Sequence, residues 1–302
     1  MQGIEADTLR ELRRGFVNNA GTAGELRRNE NDQARNLDPF GQVDRTFAPQ
    51  WWATAGVRTS RVRLAVDDRY ITAASPHDSG SVEYRNTSPV AGLAWSASDD
   101  INVYANLGRG FETPTTAESA HRAGATGPNL TLLPSTSVQA ELGVKRKRGR
   151  HAVDVALFDS RSKNEIVPSS VVNGRSIFQH VDGVQRRGVE SSWNATWGRV
   201  TTRAAYTWLD ASCRNAFTTA QNATIAAGKR LPGAPRHSLF LETQYQVSDA
   251  LSTALDMRTE SRVFGNAINS DAAAGYAALN ARAGYAFKAG RVDMFLYGRI
   301  DN

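Results

Sequence analysis

The residues of this chain with most chemistry to offer are arginines that alternate with apolar neighbours. Arg58, Arg109, Arg203, Arg258, Arg262, Arg282 and Arg299 all fall on the polar side of such a pattern. A guanidinium is a planar fork of donors that grips a carboxylate or phosphate through two hydrogen bonds, so a row of them suits an anionic ligand. The same arginines could instead pair with Asp256, Glu260 and Asp293, which share their side. Nothing points to catalysis. The sequence has no G-x-S-x-G elbow, no H-E-x-x-H pair and no P-loop. Asp99-Asp100 reads as a solvated turn. His77, His121, His151, His180 and His237 are dispersed, and Cys213 is the one cysteine, in a predicted loop. This gives no metal-ligand spacing and no intrachain disulfide. No cofactor and no enzymatic activity are expected.

What would position the arginines is a set of strands. Short polar breaks centre near Pro49, Asp99, Gly149, Gly198, Asp249 and Ala289, a recurrence of roughly 50 residues that signals a repeated supersecondary unit. Each break joins two runs with period-two alternation, which places one apolar and one polar face on a strand. Val138, Ala140, Leu142 and Val144 alternate with Gln139, Glu141 and Lys145. Leu251, Thr253, Leu255 and Met257 alternate with Ser252, Asp256 and Arg258, and Val62, Leu64 and Val66 with Arg61, Arg63 and Asp67. Longer loops rich in Gly, Ser, Asn and Thr lie between, near Ile71–Pro89, Thr115–Thr136 and Asp210–Pro235. Short turns at one end and long loops at the other describe an antiparallel transmembrane β-barrel. The runs make about twelve strands. Residues 36–302 read as six consecutive β-hairpins and residues 1–35 as a loop-rich start.

A soluble sandwich would show the same alternation. Its strands usually run about five or six residues, whereas several runs here are longer. Trp51, Trp52, Trp95, Trp197, Tyr245 and Phe287 gather near turns, as in an interfacial girdle. An Arg or Lys facing lipid at mid-depth costs about 2–4 kcal/mol, so the alternation is expected to run apolar outward and charged inward.

The bulk numbers fit. The chain of 302 residues is 40% hydrophobic and 22% charged, with a mean hydropathy of -0.44. It contains no stretch of about 20 apolar residues such as a membrane helix requires, but a barrel strand meets lipid only at every second residue. The net charge of +6 comes from scattered arginines, not a nucleic-acid-binding patch. Lys145-Arg146-Lys147-Arg148 falls at a hairpin turn and reads as solvated or facing lipid headgroups. Met1 to Val17 carries Glu5, Asp7 and Glu11 and no apolar core of an export signal, so that signal is expected on sequence outside this chain.

Tyr104-Ala105-Asn106-Leu107-Gly108-Arg109-Gly110-Phe111-Glu112-Thr113-Pro114-Thr115 resembles a barrel strand of TonB-dependent outer-membrane receptors. Gly127-Pro128-Asn129-Leu130, Pro134-Ser135-Thr136-Ser137 and Glu141-Leu142-Gly143-Val144-Lys145 resemble the stretch that follows it. It departs at Gly127 and in extra residues before Pro134. Gly188-Val189-Glu190 resembles the opening of a mid-barrel strand, and Arg299-Ile300-Asp301-Asn302 the approach to the last strands.

The resemblance implies part of a barrel that normally has 22 strands, with the N-terminal plug absent. It implies energised uptake of ferric siderophores or similar scarce ligands across the bacterial outer membrane. The expected partners are outer-membrane lipid, a ferric chelate and, only through the missing plug, an energy-transducing inner-membrane complex. A passive pore and a soluble all-β binding module are the other functions the sequence admits. Arg109, Glu112, His121, Arg258 and Arg262 are the residues expected to meet ligand, in the lumen or the outer loops. His121 lies where haem-importing relatives carry a haem ligand, although the preceding Phe111-Glu112-Thr113-Pro114 differs from their motif. Gly108 and Gly110 permit either a bend or the close approach of another backbone.

Overall fold

The computed structural model describes residues 1–122, 124–172, 175–219 and 222–302, and side chains outside 168–175. Thirteen strands form one antiparallel sheet in which every strand lies beside its neighbours in the chain. In order they are β1 (Gln2–Asn19), β2 (Thr22–Ala48), β3 (Trp51–Asp68), β4 (Gly80–Ser98), β5 (Ile101–Glu112), β6 (Ser135–Arg148) and β7 (His151–Lys163). After the loop ribbon β8 (Glu165–Val172) and β9 (Arg175–Val181) come β10 (Val184–Trp197) and β11 (Val200–Cys213). The ribbon β12 (Phe217–Thr218) and β13 (Thr224–Ile225) precedes β14 (His237–Gln246) and β15 (Leu251–Glu260). The ribbon β16 (Val263–Phe264) and β17 (Ala272–Ala273) precedes β18 (Tyr276–Ala289) and β19 (Val292–Ile300). No pairing joins β1 to β19 among the described residues, so the sheet has two edges.

The six expected turns are present, and Gly149, Gly198 and Gly290 take the positive φ such tight links require. A seventh was missed. Residues 1–35 are not a loop-rich start: they are β1 and the upper part of β2, paired from Gln2–Gly41 to Asn19–Thr22. The turn Ala20-Gly21 has φ of 51° and 90°, and the Asn18 side chain accepts from Gly21 N at 2.8 Å. Arg10, Arg13 and Arg14 blur the alternation of β1, which is why it did not read as a strand. The loops are also shorter than expected, since β4 already begins at Gly80, β6 at Ser135, and Cys213 ends β11 in a buried position.

Near the short turns the two faces differ as expected. Leu255 opposes Thr243 and Ala281 on a face where Leu255 is 56% exposed, while Asp256 on the other face is 8% exposed. The bare apolar face continues through Val57, Leu93, Leu107, Leu142, Leu157 and Leu296. Trp51 and Trp95 stack at its lower rim, with centroids 5.7 Å apart. On β3 this band runs from Trp51 to Thr59, which matches the roughly nine to eleven residues a tilted strand needs to cross a bilayer.

Above the band the parity rule reverses, which corrects the expectation for β3. Val62 and Leu64 face inward and Arg61 and Arg63 outward. Leu64 is buried, whereas Arg61 is 55% exposed. The reason is a change of solvent. Beyond the bilayer the outer face meets water, and the inner face is covered by the loop between β5 and β6. The Tyr84 hydroxyl on β4 donates to Leu132 O of that loop at 2.9 Å. On β7, β10 and β11 the outward row likewise passes from Leu157, Val189 and Trp208 to Asp159, Arg187 and Asp210.

Candidate functional site

The inner wall carries its charges in two groups. Near the short turns of β11, β14 and β18, Glu242 is the shared acid. Arg282 reaches it at 2.6 Å and Arg203 at 3.6 Å. Asn280 donates to Asp256 at 2.6 Å beside them. These arginines are therefore held by the wall itself, although by Glu242 and not by the acids expected to pair with them. Arg258 is different: it lies inward, opposite Phe240 and Ala278, and makes no ion pair among the described residues.

The second group lies on β1 to β5. Arg58 bridges Glu5 and Asp38, the latter at 2.6 Å. It borders a cavity of about 560 Å³ lined by Asp7, Asn36, Asp38, Ser60, Phe111 and Arg109. Higher up, Arg13 lies 3.3 Å from Asp32 and 2.8 Å from Glu11. It also donates to Thr116 O at 2.9 Å and to Thr116 Oγ1 at 2.8 Å. Asp32 sits above the apolar band, opposite Val66. Burial pushes its carboxyl up to about 6 against the pull of Arg13, with Glu30 adding to the rise.

The loop from β5 is fixed over this wall by several contacts besides Thr116. Arg122 lies 3.1 Å from Asp78, and Tyr84 holds Leu132. Pro114 is fully buried, and the short 3-10 turn Glu118–Ala120 buries Ser119 and Ala120. Arg28 points a guanidinium nitrogen at His121 Nε2, 3.5 Å away. Since Arg can only donate, that ring nitrogen is the acceptor. Arg28, His121, Glu30, Asp68 and Asp78 surround a cleft of about 200 Å³.

The five expected ligand residues do not converge. Arg109 lies opposite Val138, with the parity of Leu107, but the pairing of β4 with β5 ends at Gly108, and beyond it Arg109 and Phe111 border the cavity beside Arg58. Glu112 ends β5, exposed and opposite Ser135. His121 belongs to the separate cleft at Arg28. Arg262 lies beyond the end of β15, with its guanidinium 5.4 Å from the Phe264 ring centre, so it belongs to a loop and not to the lumen wall. No group of three or more potential metal-binding side chains occurs among the described residues. In the glycine motif, a Cβ at Gly110 would collide with the Ser137 hydroxyl on β6, while one at Gly108 would make ordinary contact with Val90. The close neighbour at Gly110 is thus the next strand of the sheet.

Sequence reasoning missed Glu5, Glu11, Arg13, Asp32 and Asp38, because they lie in or beside the stretch read as loop. The hairpin signal was present in Asn18-Asn19-Ala20-Gly21.

Residues 3–302 match the family model described as TonB dependent receptor-like, beta-barrel. A curated relative, the probable TonB-dependent receptor BfrD of Bordetella pertussis, is 24% identical over 252 residues, covering 81% of this chain and 33% of that protein. The ferric citrate transporter FecA in its unliganded form superposes with a TM-score of 0.76 at 16% identity, over 99% of this chain and 45% of that one. The copper transporter OprC gives 0.76 at 17% identity, over 100% of this chain and 47% of that one. Siderophore receptors are among the other matching structures. The chain spans a third to a half of the length of these relatives. Members of the family are outer-membrane receptors and transporters. With a 13-stranded antiparallel wall, an apolar outer band and a family match over nearly its whole length, this chain belongs to the TonB-dependent receptor β-barrel family.

Proposed function

We propose that this chain forms wall and loops of an outer-membrane receptor for the energised uptake of ferric siderophores or similar metal chelates. The observation that carries this reading is the cavity at Arg58 and Arg109, with the β5–β6 loop anchored above it. Its volume suits a small chelate, and its rim includes Arg58 and Arg109 with Asn36, Ser60 and Phe111. A ferric chelate with carboxylate or catecholate donors presents oxygens that a guanidinium fork can grip. Loops on a rigid scaffold are where such recognition usually sits. Arg258 is a further contact candidate, since it faces the lumen free of an acid. The structural neighbours, a ferric citrate transporter and siderophore receptors among them, favour an iron complex.

The test is uptake of radiolabelled ferric citrate and a ferric catecholate by cells carrying the intact gene. Saturable accumulation that stops when the proton-motive force is collapsed is the expected result. An Arg58→Gln variant should bind less chelate while reaching the membrane normally. Linear, unsaturable entry indifferent to the proton-motive force would mean a passive pore and overturn the reading.

A further inference from the structure

We propose that the outward-facing arginines Arg35, Arg61, Arg63 and Arg85 form a binding site for the phosphate-bearing headgroup of an outer-leaflet lipid. The ladder puts Arg35 directly opposite Arg63, and Arg61 directly opposite Arg85. Side chains directly opposite in an antiparallel pair stand about 5 Å apart at Cβ, and like charges there destabilise the sheet. Two such pairs on adjoining strands call for an anion. The one acid among them is Glu83, which bonds Arg61 at 2.7 Å and Arg85 at 2.6 Å. Among the described residues Arg63 donates only to Ser81 Oγ, at 3.3 Å, and Arg35 makes no ion pair. Four cations thus share one carboxylate.

The position selects the kind of anion. Arg61 lies opposite Leu37 and two outward positions above Val57, which are 46% exposed each. The arginines are therefore the first charged row above the apolar band. The inner face of the same strands is closed by the loop at Tyr84 and Leu132, while Arg85 on the outer face is 68% exposed. A molecule that fills the patch would meet apolar surface immediately below it, at Leu37, Val57 and Pro89. An amphiphile with a phosphorylated head and acyl chains matches both halves, and a soluble anion matches only one. Guanidinium forks favour phosphate through paired, charge-assisted hydrogen bonds. The proposal rests on the membrane placement of the apolar band, and not on uptake.

The intact protein is extracted in mild non-ionic detergent, delipidated, and offered diphosphoryl lipid A or phosphatidylethanolamine, with bound lipid counted by native mass spectrometry. Lipid A should be retained about tenfold better or more, as several charge-assisted hydrogen bonds would give. R35Q/R63Q and R61Q/R85Q should each lose most of that preference while keeping phosphatidylethanolamine binding and heat-modifiable gel mobility. R161Q, which removes an outward arginine on β7, should behave like the parent. Equal retention of both lipids by the parent, or an unchanged preference in both double variants, would overturn the site. Failure of the parent to hold either lipid would instead overturn the membrane placement beneath it. Competition by inorganic pyrophosphate as effective as by lipid A would replace the lipid with a soluble anion.

Discussion

The Tyr84 hydroxyl donates to the Leu132 carbonyl across 2.9 Å, and both residues are buried, at 5% and 2% exposure. This bond ties the β5–β6 loop to the wall at β4, opposite the tie that Arg13 makes to Thr116 from β1. Each end of the loop is therefore fixed to a different strand of the same inner face. Tyr84→Phe keeps the packing but leaves the Leu132 carbonyl buried without its partner, a cost of about 1–3 kcal/mol. The loop should open more often. Hydrogen exchange across residues 113–134 is expected to speed up roughly tenfold or more, with exchange in β14 and β15 unchanged. Unaltered exchange would show that Thr116 and Arg122 hold the loop without this bond.

The reversal of parity along β3 predicts opposite outcomes for labels only a few residues apart. Spin labels at Val57 and Leu64 sit on opposite faces, and one at Arg61 sits on the face of Val57 but above the band. In reconstituted vesicles, Val57 should report high accessibility to oxygen, which concentrates in lipid. Arg61 should report accessibility to a water-soluble nickel chelate. Leu64 should be shielded from both. A shared environment at Val57 and Arg61 would mean that the lipid boundary lies elsewhere.

That reversal also explains how much of the wall could be read from sequence. The lower halves of the strands were legible because lipid on one side and a polar lumen on the other impose one rule, and Leu255 and Asp256 obey it. The alternation continues above the bilayer, as in Val62, Arg63 and Leu64, but period two says only that the two faces differ. It does not say which face is wet. For Val62 and Leu64 the answer depended on a loop folding over from β5, a contact with no local signal. β1 was hidden for another reason: Arg10, Arg13 and Arg14 interrupt its pattern, and only the turn at Ala20-Gly21 marked it. The Glu11, Arg13 and Asp32 cluster became visible once that strand was paired in register with β2.

Glu242 and Glu83 offer a contrast between a shielded acid and an exposed one, each serving two arginines. Glu242 is buried beneath Arg203 and Arg282 on the inner wall. Glu242→Gln removes a charge-assisted hydrogen bond and leaves two facing cations, which should cost about 1.5–3 kcal/mol. Glu83→Gln acts on the exposed outer face, where such pairs contribute about 0–1 kcal/mol. Unfolding of the micelle-bound protein in guanidinium, followed by tryptophan fluorescence, should separate the two clearly. Equal midpoints for both variants would show that the inner wall is as well solvated as the outer surface.

Asp32 has its carboxyl raised from the ordinary 3.8 to about 6, chiefly by burial. An acid that binds its proton more tightly when folded gains stability as pH falls through the folded value, because between about 6 and 3.8 the folded state holds more protons than the unfolded one. Lowering the pH from 7 to 5 should therefore tighten the β1–β2 hairpin through this residue, the reverse of the usual behaviour of a paired carboxylate. Arg13 remains charged throughout and keeps its bonds to Thr116, so the loop anchor should survive the change. Slower hydrogen exchange of β1 at pH 5 than at pH 7, after correction for the intrinsic rate, is the expected result. Asp32→Asn should remove the difference, since the amide cannot titrate in this range. A hairpin that instead loosens at pH 5 in the parent, but not in the Asn variant, would mean that the attraction of Arg13 outweighs burial and that Asp32 is held ionised.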